Sequence, residues 1–220
     1  IAENRVMINN AIAEITEHVD ASVAAIKGEI DEEIDEKIAV VGTNIQEKAT
    51  VIWNIANALF GFFKPHEYGL VILPMVVIKR FHDCLLPTHD AVLAQYENVK
   101  NFAVIDGFLT KASGYQFYNT SDYTLQELCN DSDNIAANFK QYILGFSPNV
   151  QDILNELEMG KHIDKMNKDG CLFSVVKAFS ELDLNPKTFD SIRMGYIFED
   201  LIGRFYQNVD AGQFYTGRDI

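Results

Sequence analysis

Tyr68-Gly69-Leu70-Val71-Ile72-Leu73-Pro74-Met75-Val76-Val77-Ile78-Lys79-Arg80-Phe81-His82-Asp83-Cys84-Leu85 is the stretch on which the fold class turns. It reads either as two short buried strands or as one buried helix, and Pro74 decides between them. Proline removes one backbone donor and crowds the preceding turn, which predicts a single helix kinked at that point. The segments on either side agree. Ile52, Ile55, Ala56, Leu59, Phe60 and Phe63 make a compact amphipathic helix upstream, and Val92, Leu93, Tyr96 and Val99 another downstream, with Thr88 placed to cap it. Thr124 and Glu127 have the spacing of a capping box, and Ser147-Pro148 puts a cap before a proline at the first helical position. Ile153, Leu154 and Leu157 form one further apolar face, and Leu172, Val175, Val176 and Phe179 the next. Asn185-Pro186 marks a loop. A last helix carries Met194, Ile197, Phe198, Leu201, Ile202 and Phe205, with Gly212 as its breaker. A short hairpin competes only at 107–119. The fold class is all-α, a long N-terminal helix plus a compact multi-helix domain, with no strand–helix alternation of the Rossmann type.

The chain divides near residue 49. In 1–48, Ile8, Ile12, Ile15, Val19, Val23, Ile26, Ile30, Ile34, Ile38, Val41 and Ile45 recur three or four apart. Ten steps cover 37 residues, a mean of 3.7, above the 3.5 of a heptad seam. Such a stripe stays on one face of a nearly straight helix or winds slightly right-handed. The segment holds eleven acids against four bases (Arg5, Lys27, Lys37, Lys48), a net of −7. A helix this long cannot bury its stripe alone, so it packs on a partner or folds back. Self-association through 1–48 and packing as a spacer within its own subunit stand level.

Composition sets further bounds. Of 220 residues, 48% are hydrophobic and 23% charged, ordinary for a soluble globular protein, with length for one or two domains. The net charge of −14 excludes a whole-surface nucleic-acid binder, so any DNA contact is a local patch or is shared with a partner. No basic stretch followed by an apolar run opens the chain, and Ile1 in place of Met suggests a processed or recombinant piece. The most apolar run, Leu70 to Ile78, is far short of the ~20 residues that span a bilayer. Three widely spaced cysteines, Cys84, Cys129 and Cys171, suit reduced thiols in the cytoplasm.

Chemistry-bearing motifs are sparse. His82, Cys84, His89 and Asp90 have metal-ligand types, but their spacing matches no common zinc site, and no metal is expected. His18, His66 and His162 are isolated. No glycine-rich phosphate loop, nucleophile elbow or His-Glu-x-x-His helix occurs. Glu199-Asp200 point about 100° apart on a helix, as a solvated edge does. No catalytic residue is assigned.

Two sets of residues carry a resemblance. Met194-Gly195-Tyr196-Ile197-Phe198-Glu199-Asp200-Leu201-Ile202, on to Arg204-Phe205, then Ala211-Gly212-Gln213-Phe214-Tyr215-Thr216 to Arg218-Asp219-Ile220, resembles the junction before the catalytic domain in the modification (M) subunit of type I restriction–modification systems. Upstream, Ile52-Trp53-Asn54-Ile55-Ala56 to Leu59-Phe60-Gly61, Tyr68, and Leu73-Pro74 to Ile78-Lys79-Arg80-Phe81 are similar to the opening of that family's N-terminal domain, as are Cys84 to Val92 and Asn134 to Leu154. The motifs follow in order over about residues 50 to 220; 1–48 lie outside them.

The resemblance implies the N-terminal helical domain of an N6-adenine DNA methyltransferase that uses S-adenosylmethionine. Its implied partners are a specificity subunit, a restriction subunit and double-stranded DNA, which this domain helps clamp. Phe214, Tyr215, Thr216 and Arg218 correspond to the cofactor side of the junction, with Gly217 where the family has proline. The family's glycine-rich cofactor loop and Asn-Pro-Pro-Phe/Tyr motif do not occur here, so no methyl transfer and no cofactor are expected of this piece alone. The alternative is a structural helical oligomerisation module with no DNA role. For DNA, the adjacent bases Lys79 and Arg80 are the expected contacts; the competing reading has one of them pairing with an acid at that helix end.

Overall fold

The computed structural model describes the backbone of residues 2–206. The chain separates into two compact units, residues 1–47 and 48–220. The first is the N-terminal part of α1 (Ala2–Ile55). Every residue from 21 to 35 in it is exposed, the isoleucine stripe included. α1 continues through Ile55 and tightens into a 3-10 turn, Ala56–Leu59. The separate helix expected over 52–63 is therefore the end of α1, then this turn and a tight bend at Gly61, whose φ of +84° glycine takes without strain.

In the second unit a 3-10 turn, Pro65–Glu67, leads into α2 (Tyr68–Leu85), which runs as one α-helix through Pro74. α2 is buried on nearly every face, as its unbroken apolar sequence requires. Around it lie α3 (His89–Val99), α4 (Asp106–Ser113), the short α5 (Leu125–Leu128), α6 (Ile135–Leu144), α7 (Pro148–Glu156), α8 (Met159–Asp169), α9 (Leu172–Glu181) and α10 (Ser191–Tyr206). α8, α9 and α10 pack directly on α2. Phe139, Phe146, Phe179, Ile72, Met75 and Ile78 are among the fully buried side chains of the core. α10 buries Met194, Ile197, Leu201 and Phe205 and leaves Ile202 exposed; Phe205 stacks on Trp53 at 4.9 Å. Its close approach to α2 needs Gly69, where an added Cβ would lie 3.2 Å from that of Phe205. On α7 the buried pair is Val150 and Leu154, while Ile153 and Leu157 face out.

The hairpin considered for 107–119 does not form. Ile105, Leu109 and Ala112 recur at helical spacing, and α4 pairs with α3 over a cluster of Val92, Val99, Leu109 and Tyr118. Gly114 ends α4 in the left-handed conformation, φ +75°. Among the described residues there is no β-strand, only isolated bridges, one of them Asn119 to Phe146. The capping box is present: Glu127 N donates to Thr124 Oγ1 at 3.2 Å, and Thr124 N to Glu127 Oε2 at 2.7 Å. Thr88 and Ser147 stand at the helix starts without capping bonds from their side chains; Thr88 Oγ1 instead donates to the Leu85 and Ser113 carbonyls.

Candidate functional site: a buried ionic clamp and a basic strip

The last turns of α2 carry Lys79, Arg80, His82 and Asp83. α2 is central, so charged groups at its end are drawn into the interior and must find partners there. Lys79 is 2% exposed, and its Nζ sits 2.7 Å from Asp83 Oδ1, one turn on. Asp83 Oδ2 accepts the backbone N–H of Leu184 at 2.7 Å, and Arg80 Nη1 donates to the carbonyl of the same Leu184 at 2.6 Å. Two side chains of α2 thus satisfy both backbone groups of one buried loop residue. Burial pushes the Asp83 carboxyl up; Lys79 and the Leu184 N–H oppose this without cancelling it.

Both residues expected to contact DNA, Lys79 and Arg80, thus have partners inside the protein. Lys79 is committed to Asp83 and half-buried Arg80 to the 184 loop, so a phosphate contact by Lys79 requires this pair to open. The competing reading, pairing with an acid at the helix end, describes Lys79.

His82 lies on the same turns, buried, with Nδ1 3.3 Å from Tyr142 Oη and with Nε2 lacking a hydrogen-bond partner. Burial, then the neighbouring Lys79 charge, pulls its pKa down to about 4. Beside it is a cavity of about 10 Å³ that Asn119 and Thr124 also line. That volume is on the scale of one water and far below the ~300–1,000 Å³ of a small-molecule site. Among the described residues no three His, Cys, Asp or Glu side chains stand together as a metal site. Cys84 and Cys171 are buried thiols whose pKa burial raises, and Cys129 is half-buried. Phe214, Tyr215, Thr216 and Arg218 lie outside the described residues.

A second arrangement was missed in the sequence. Lys161, Lys165 and Lys168 are spaced i, i+4, i+7 and share one face of α8. Lys165 Nζ lies 3.9 Å over the Phe63 ring and 3.2 Å from Glu67, which ties this face to the 60–67 turn. There Lys64 is exposed, and so are Phe60 and Phe62. Glu158 pairs with Lys161, while Lys64 and Lys168 make no ion pair among those described. The spacing was legible, but the contact of Lys165 with Phe63 and Glu67 comes only from packing α8 beside the turn.

The second unit is organised on one buried helix, and its α8 presents a row of lysines on a chain of net charge −14. Residues 48–179 match the HsdM N-terminal domain family, and the chain belongs to that family, the N-terminal domain of type I restriction–modification M subunits. No curated protein and no solved structure matches the chain. Among the described residues no helix is long and apolar enough to cross a membrane.

Proposed function

We propose that residues 48–206 form a DNA-clamping and subunit-contacting domain of a type I modification methyltransferase, a protein that methylates adenine at N6 with S-adenosylmethionine. The family match over 48–179 carries this reading. In this account the domain does no chemistry. It holds the duplex while a specificity subunit reads bases, and it works in the cytoplasm beside a restriction subunit. Its DNA contacts go to phosphates, which position without reading sequence. The exposed cations of the α8 strip, with Lys64, suit that task better than Lys79, because their heads reach solvent without breaking a buried pair. Arg80 has the rest of its guanidinium for a secondary contact. The outer face of α10, with Ile192, Tyr196 and Ile202 exposed, suits a neighbouring protein surface. Phe214, Tyr215, Thr216 and Arg218 are assigned to the cofactor entrance.

The test is reconstitution. An assembled enzyme lacking 48–206 should lose DNA affinity on cognate and non-cognate duplexes alike, while the separated specificity subunit keeps its preference between them. Undiminished affinity after the deletion would refute the clamp.

A further inference from the structure

The N-terminal unit presents a feature that the clamp reading leaves unused. The backbone of α1 is helical throughout 2–55, and the apolar positions from Ile8 to Ile45 repeat along it with a mean step of 3.7. Val23, Ile26, Ile30, Ile34 and Ile38 are 48–64% exposed, large aliphatic side chains in a row on a helix whose other faces are polar. An isolated helix gains little from its own hydrogen bonds in water and depends on burying such a stripe.

We infer that residues 8–45 pair with the same stretch of a second copy of this chain, in a coil that is nearly straight or winds slightly right-handed. Period and length select this occupant. A step of 3.7 is close to the 3.67 of an eleven-residue repeat, so the stripe drifts opposite to a heptad seam. A partner must drift in the same way over the whole ~55 Å that 37 residues of helix cover. A second copy does so by identity, whereas a heptad helix would leave the stripe after a few turns and a short segment would cover only part of it. Burying the row from both sides along that length reaches the ~1,000 Å² or more that separates a specific interface from an incidental one.

Charge gives the pairing a signature. Each copy brings eleven acids against four bases over residues 1–48, with Glu29, Asp31, Glu32, Glu33, Asp35 and Glu36 in one cluster. Two such helices repel, so an apolar seam between them must tighten as salt screens the acids. Pairing with a basic helix from another protein would loosen instead. This inference does not depend on the clamp reading, since residues 1–48 lie almost wholly outside the family match.

The test is sedimentation of the whole chain at low and high salt, alongside Ile26→Ala/Ile30→Ala. Alanine is the best helix former, so the variant keeps its helix while losing the methyl groups of the seam. Trp53, stacked on Phe205 in the other unit, reports by its fluorescence that the rest of the chain is folded. The expected result is an oligomer that tightens with salt, and an association constant roughly a hundredfold lower in the variant, with helicity and Trp53 emission unchanged. A monomeric parent at both salt concentrations would overturn the proposal. So would an oligomer that loosens with salt, or one that the alanines leave intact.

Discussion

Asp83 on α2 accepts the backbone N–H of Leu184, 101 residues further along the chain, at 2.7 Å in the protein interior. The bond exists because Lys79 holds the other carboxylate oxygen at 2.7 Å and Arg80 takes the Leu184 carbonyl. Charge at the end of the central helix thus becomes a fastener for the loop before α10. Such a pair adds little over a well-packed apolar substitute, but breaking one side leaves a buried charge without its partner.

Lys79→Met should therefore destabilise the domain by roughly 3 kcal/mol, because Asp83 loses its cation in the interior. Urea denaturation followed at Trp53 measures this. A loss under about 0.5 kcal/mol, the range of ordinary surface changes, would show that the pair does not fasten the loop.

His82 sets a pH dependence. Its folded pKa is pulled down to about 4 from an ordinary value near 6.5, so in that window the unfolded chain binds the proton and the folded one does not. Stability is full above the unfolded value and is lost as pH falls through the window. Between pH 7 and pH 5 the loss due to His82 should be about 2 kcal/mol. His82→Gln, which can still bond Tyr142 and does not titrate, should remove that increment. Equal pH slopes in the two proteins would mean that His82 is not held neutral.

Gly145 permits a close crossing. A Cβ there would lie 2.6 Å from the backbone N of Ser121, on the segment where Thr120 N donates to the Gly145 carbonyl at 2.8 Å. Backbone cannot yield as a flexible side-chain tip does, so Gly145→Ala should cost roughly 2 kcal/mol, in the range of overpacked cores. A thermal midpoint equal to the parent's would contradict that contact.

Much of the helical order was legible because local signals agreed with packing. The Thr124–Glu127 box, the Pro148 start and the apolar face of α9 each follow from residues within about two turns. At 107–119 a hairpin competed with a helix, and Leu109 and its neighbours, with α3 to pack on, settled on the helix. The burial of Lys79 was hidden for the opposite reason. A lysine beside an arginine looks solvent-bound until the helix carrying it proves central, and centrality depends on α8, α9 and α10, more than seventy residues downstream. The α8 strip was visible as spacing, whereas the contact of its Lys165 with Phe63 and Glu67 is long-range and periodicity does not encode it.

The clamp itself is tested most directly through the strip on α8. In an assembled enzyme carrying Lys161→Ala/Lys168→Ala, DNA affinity should fall by the same factor on cognate and non-cognate duplexes. The dependence of log affinity on log salt should flatten by up to about two, since each lost phosphate contact removes roughly one. An unchanged salt slope, with the subunits still assembled, would contradict the account and take phosphate contact away from this face of the domain.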